Sequence, residues 1–133
     1  FGVDGFDGAL EQEGVDVSMF EGFYYLTPFA YTATDDATVS FVSKFNALAG
    51  NNPNQFAADA YDVVYAIYNA LVEAGATADM SAQDMGELLC KTFQGGFTYS
   101  GLTGSNMTWN ENGAVVKAPL AFQVKDGKLT AAE

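Results

Sequence analysis

Chemistry in this sequence would have to start from its carboxylates. Asp4 stands in Gly2-Val3-Asp4-Gly5-Phe6-Asp7-Gly8, where apolar residues give way to Asp-Gly punctuation, a pattern that reads as a strand running into a loop or short helix. A carboxylate at a strand's C-terminal tip lies where open α/β sheets place ligands, and its charge complements an ammonium group. The plainer reading of Asp4 is a turn-former, because Asp-Gly is common turn chemistry. Asp4 with Asp7, or Glu11 with Glu13, can be drawn as the acid and base of a glycosidase. With 17 Asp and Glu among 133 residues, however, such pairs arise without selection. The stretch from Asp4 to Glu11 also fails the alternate acidic spacing that a calcium loop needs.

The residue types that are missing narrow the chemistry further. Histidine is absent, which removes the commonest general base at neutral pH, any Cys-His or Ser-His pair, and zinc sites of the usual kind. The lone Cys90 cannot form an internal disulfide, and its place inside a helical apolar pattern reads as a packed thiol. All five basic residues are lysines, so no guanidinium fork exists to grip a phosphate or carboxylate. A formal net charge of −12 repels nucleic acid and anionic lipid surfaces, which argues against a nucleic-acid partner. No enzyme, cofactor or metal is implied. No apolar run approaches the roughly 20 residues that span a bilayer.

The elements that must position these groups can be read from periodicity. Phe23–Thr27, before Pro28, is aromatic and β-branched and predicts a strand. Phe41, Val42, Phe45 and Leu48 at helical spacing, after Asp35-Asp36 and before Gly50, predict a helix over about 36–49. The strongest signal runs from about Asn54 to Ala74: one stripe holds Ala60, Val63, Val64, Ile67, Leu71 and Ala74, and a second holds Tyr61, Tyr65, Tyr68 and Val72. A helix apolar on two faces is expected to be sandwiched between layers or against another part of the protein, with the tyrosines packing; Asp62, next to Tyr61, could bond across to another part of the fold, and a solvated helix carboxylate is the simpler account. Ser81 and Asp84 make a capping-box pattern before Met85, Leu88, Leu89 and Phe93. From Phe97 the texture turns β-rich, with turns expected at Asn112-Gly113 and Asp126-Gly127 and alternation over Leu120, Phe122 and Val124. This is an α/β chain, yet two parallel strands are too few for a complete doubly wound sheet. A non-methionine start agrees with a portion of a longer protein.

Four segments in order and spacing carry a family resemblance. They are Gly2-Val3-Asp4-Gly5-Phe6-Asp7; Glu21-Gly22-Phe23-Tyr24-Tyr25 with Thr27-Pro28-Phe29; Phe56-Ala57-Ala58-Asp59-Ala60-Tyr61-Asp62-Val63-Val64; and the run Gly101-Leu102-Thr103-Gly104, Trp109-Asn110-Glu111-Asn112-Gly113 and Val124-Lys125-Asp126-Gly127-Lys128. Together they resemble the C-terminal portion of the type I periplasmic-binding-protein family of the Leu/Ile/Val-binding kind. The resemblance implies a two-lobe, Rossmann-like α/β fold with a C-terminal β-hairpin tail. Residues 1–133 would supply a second-lobe segment, a long helix returning to the first lobe, and the tail.

The same resemblance implies a solute-binding component of an ABC importer for branched-chain or other apolar amino acids. It would work with the transporter permease outside the cytoplasm, periplasmic or held as a membrane-anchored lipoprotein. A ligand-sensing domain of a receptor or regulator is the alternative with the same fold. Asp4 matches the acidic position that accepts hydrogen bonds from the ligand's α-ammonium. Phe56 matches a position at the mouth of the long helix that presents a ring to the ligand side chain, and Phe6 borders the same pocket. Core packing is the plain alternative for either ring. Sheet strands without their neighbours and uncovered apolar faces lead us to expect self-association, by exchange of the long helix or the β tail between copies.

Overall fold

Residues 2, 6, 8, 9 and 12–132 are described in a computed structural model of the chain. They fall into two units, Phe1–Ala58 with Ala118–Glu133 (unit 1) and Asp59–Lys117 (unit 2).

Unit 1 is built on β1 (Tyr24–Thr27), β4 (Leu120–Lys125) and β5 (Lys128–Ala131), in the order β1-β4-β5 with both pairings antiparallel. Gly2 pairs with β1 in the parallel sense: its N–H donates to the Tyr24 carbonyl at 2.8 Å, and the Leu26 N–H donates to the Gly2 carbonyl at 3.0 Å. The register sets Tyr25 opposite Phe122, and both are buried, as are Val124, Thr27 and Phe29. Helix α1 (Asp36–Ala49) brings Phe41 into this core, its ring edge-on to Phe29 with centroids 5.9 Å apart. The alternation expected over β4 holds at Phe122 and Val124 but stops at Leu120, which is exposed. Periodicity assigns a face; it does not say how far along the strand that face is covered.

Turn and cap chemistry explains the boundaries. Lys125 stands opposite Lys128, leaving Asp126-Gly127 as a two-residue turn with φ of 53° and 68°, the conformation for which Asp-Gly is suited. The Glu21 carboxylate accepts both turn N–H groups, at 3.1 and 3.2 Å. Asp35 caps α1 by accepting the Thr38 N–H, and Gly50 closes the helix in the left-handed region at φ 76°.

The Asp35 cap carries a pH consequence. Its hydrogen bonds to the Thr38 backbone and side chain hold the carboxyl below its ordinary value of 3.8. The folded state therefore binds the proton less readily than the unfolded chain, and the cap's contribution is present above that ordinary value and lost as pH falls through the lower folded one. Asp35→Ala is expected to cost about 1 kcal/mol at neutral pH. Denaturation of parent and variant at pH 7 and pH 2 checks this: the difference should shrink at the acid end.

Helix α2 (Gln55–Glu73) starts in unit 1, where the Asn54 side chain caps it by accepting the Ala57 N–H at 3.1 Å, and continues as the long element of unit 2. It ends in a Schellman arrangement: the Gly75 N–H donates to the Val72 carbonyl at 3.1 Å and the Ala76 N–H to the Leu71 carbonyl at 2.9 Å. Within unit 2, α3 (Ala82–Gln94) opens on Ser81 as N-cap, its Oγ accepting the Asp84 N–H; the Asp84 carboxylate accepts the Ser81 hydroxyl in place of the backbone N–H of a full capping box. A short hairpin of β2 (Thr108–Trp109) and β3 (Val115–Val116) follows, with a Tyr99–Met107 bridge beside it. Phe93 of α3 meets Trp109 of β2 at 4.6 Å between centroids, and Phe97 closes the cluster.

Three expectations need correction in unit 2. The line of α2 that is buried there is Asp62, Ala66 and Ala70, while Val63, Val64, Ile67, Tyr68 and Val72 are exposed. The helix is thus not covered on two apolar faces among the described residues. Periodicity finds apolar stripes, but the contacts made in this chain run along small residues four apart, where close approach is easiest. Cys90, read as packed, is exposed on α3, because it shares a face with the exposed Gly86, Glu87 and Gln94, away from Met85, Leu89 and Phe93. Asp62, read as solvated, is 4% exposed.

Candidate functional site

The residues expected to meet a ligand belong to the chain of unit 1. Asp4 lies outside the described residues. Gly2, two residues before it, is held against β1, and a Cβ there would come within 2.6 Å of the Phe23 ring, which would have to shift. Phe6 is half-buried, its ring 4.6 Å from Phe23 and 5.6 Å from Phe20. Its ring partners do not include Phe56, which stands in the first turn of α2 with 53% of its surface exposed. Thr27 anchors the intervening strand end: its hydroxyl accepts the Phe29 N–H at 3.2 Å and bonds to the buried Gln55 side chain at 3.0 Å. Phe56 thereby leaves from a fixed helix start and is free to meet an apolar group.

Unit 2 contains the polar centre that sequence reading missed. The Asp62 carboxylate accepts the Leu102 N–H at 2.9 Å, the Thr103 N–H at 2.8 Å and the Thr103 hydroxyl at 2.8 Å. Lys117 Nζ donates to Thr103 Oγ1 at 3.0 Å and to Asp59 Oδ1 at 2.7 Å. A Cβ at Gly101 would run into the Asp62 carboxylate, which explains a glycine at that point of the turn. The signal was present in outline. A carboxylate inside an apolar helical pattern requires donors, and the Gly101-Leu102-Thr103-Gly104 turn has free N–H groups to give.

Beside this network lies a concavity of about 520 Å³ whose apolar wall includes Val63, Ile67, Phe93, Met107, Trp109 and Val115. Burial, then the Asp62 charge and the neighbouring Tyr61 and Tyr65, push the Tyr99 phenol upward, so it borders the concavity as a neutral group. Neither Phe6 nor Phe56 lines it. Among the described residues no group of three or more His, Cys, Asp or Glu could hold a metal ion, and no helix is long and apolar enough to cross a membrane.

No family model matches the sequence, and no curated protein matches it. Solved structures do. The substrate-binding protein LivJ of the branched-chain amino acid transporter from Streptococcus pneumoniae, in complex with isoleucine, is similar over 99% of this chain and 35% of its own length, at 24% identity and TM-score 0.72. A protein from Rhodospirillum rubrum assigned as a branched-chain amino acid ABC transporter is 27% identical over 85% of this chain and 31% of its own, at TM-score 0.64. An ABC transporter solute-binding protein from Rhodopseudomonas palustris in complex with 3,4-dihydroxybenzoic acid matches 95% of this chain and 33% of its own at 19% identity and TM-score 0.70. The chain spans about a third of the length of these relatives. Those from Streptococcus pneumoniae and Rhodopseudomonas palustris are substrate- or solute-binding proteins of transporters, and the likeness covers most of this chain. By its fold the chain corresponds to about a third of the type I periplasmic-binding-protein architecture, and it is similar there to branched-chain amino acid ABC transporter substrate-binding proteins.

Proposed function

We propose that the chain is part of the extracytoplasmic solute-binding component of an ABC importer for a branched-chain or other apolar amino acid, without catalytic activity. The observation that carries this reading is the fold shared over 99% of the chain with an isoleucine-bound substrate-binding protein. In this reading unit 1 is a segment of the second lobe together with the tail, and unit 2 is the part contributed to the first lobe. Asp4 receives the ligand's ammonium, and Phe6 and Phe56 border its side chain. The exposed ring of Phe56 supports its part in this. The protein works outside the cytoplasm, anchored as a lipoprotein or free in the periplasm, and delivers its ligand to the transporter permease.

The test is calorimetric titration of the whole protein that carries this chain with leucine, isoleucine, valine, phenylalanine and benzoate. Micromolar or tighter binding of an aliphatic amino acid is expected, and Phe56→Ala should alter the ranking of side chains more than the affinity of the best ligand, because it removes apolar contact and leaves charged anchors in place. Binding of benzoate alone would move the ligand class to aromatic acids. The chain of 133 residues by itself is expected to self-associate, because Val63, Val64, Tyr68 and Val72 are exposed along one helix. Sedimentation velocity at rising concentration checks this, and a single monomeric species throughout would count against it.

A further inference from the structure

Unit 2 begins at Asp59 and ends at Lys117, and these two residues are joined to each other by the one ion pair found among the described residues. The two ends of unit 2 differ in backbone conformation. At Ala58–Asp59 the backbone is helical, inside the first turns of α2. At Lys117–Ala118 it is irregular: residues 117–119 lie between β3 and β4 outside both strands, and Pro119 has no N–H to offer a ladder. At its start the Lys117 side chain reaches Asp59 Oδ1 at 2.7 Å and Thr103 Oγ1 at 3.0 Å. Thr103 is itself fixed, since its N–H and its hydroxyl both donate to Asp62, leaving the oxygen's lone pairs for the ammonium. The tether therefore ends on a rigid helix and a rigid turn.

We propose that Asp59, Lys117 and Thr103 form a clasp within unit 2 that pins the backbone around Lys117 to helix α2 at Asp59 and to the turn at Thr103. Asp59 and Lys117 are positioning residues in this device. Their side chains are 37% and 20% exposed, which makes the pair too open to the solvent to be a main source of stability. Its consequence is local: it restrains the backbone around Lys117. The inference stands on the geometry of unit 2 and does not rest on the ligand reading.

Amide hydrogen exchange, followed by mass spectrometry on the chain with and without substitutions, tests it. Lys117→Met and Asp59→Asn are expected to speed exchange over residues 114–118 by roughly two- to fivefold, the range for a partly sheltered ion pair. Exchange over α3 and residues 97–109 should stay at the parent rate. Lys117→Arg, which keeps the charge and can reach the same carboxylate, should keep the slow exchange. Unchanged exchange at 114–118 in Lys117→Met would overturn the clasp. So would equal acceleration across all of unit 2, which would make Lys117 an ordinary stabilising residue, or an Arg variant as fast as the Met one.

Discussion

Asp62→Ala is expected to remove about 3–5 kcal/mol of stability, the largest loss of any single substitution considered in unit 2. Asp62 is 4% exposed and serves three donors, two of them backbone N–H groups of Leu102 and Thr103. Alanine leaves those donors without their acceptor. The Thr103 hydroxyl loses its acceptor as well, so the Lys117 contact loosens with it. Since a domain of this size has about 5–15 kcal/mol in total, the variant should be marginal at room temperature. Asp62→Asn keeps the shape and one acceptor oxygen and should lose less. Urea denaturation of the three proteins checks the order, and a loss for Asp62→Ala within the range of a surface ion pair, under about 1 kcal/mol, would show that the turn does not depend on this carboxylate.

In the whole protein, Asp4→Ala should weaken amino-acid binding at least about a hundredfold. If the ligand's ammonium is received by Asp4 in a closed cleft, the pair is largely desolvated, and removing one partner leaves a buried charge without compensation, a loss of about 3–5 kcal/mol. Asp4→Asn should recover part of the loss, because an amide oxygen still accepts a hydrogen bond but no longer offsets the charge. Calorimetric titration with the best ligand of the parent reads both variants directly. An Asp4→Ala protein that binds as tightly as the parent would withdraw the residue-level assignment while leaving the fold intact.

Much of the local structure was legible in the sequence because its causes are local. Asp35 and Gly50 bound α1 at the residues where a side-chain acceptor and a left-handed conformation are needed. Ser81 with Asp84 opens α3, and Asp126-Gly127 turns the β4–β5 hairpin, each by chemistry confined to a few neighbours. Charge and residue types likewise argue against nucleic acid as a partner and against histidine-based catalysis without reference to any fold. The order of segments was enough to point to the type I binding-protein architecture that the solved structures share.

Tertiary structure decided the matters that depend on which distant residues come near. Helical periodicity marks Val63, Val64 and Ile67 as a core stripe, yet in the folded chain they are exposed and the small line at Asp62, Ala66 and Ala70 is buried. The same rotation about the helix turns Asp62 from a solvated charge into the acceptor for a turn 40 residues away in sequence. It also brings Lys117 to Asp59, a pair separated by 58 positions that no spacing rule could propose. A periodic pattern records the hydrophobicity of a helix face, whereas burial is set by what packs against that face. That partner is chosen only when the rest of the chain comes together.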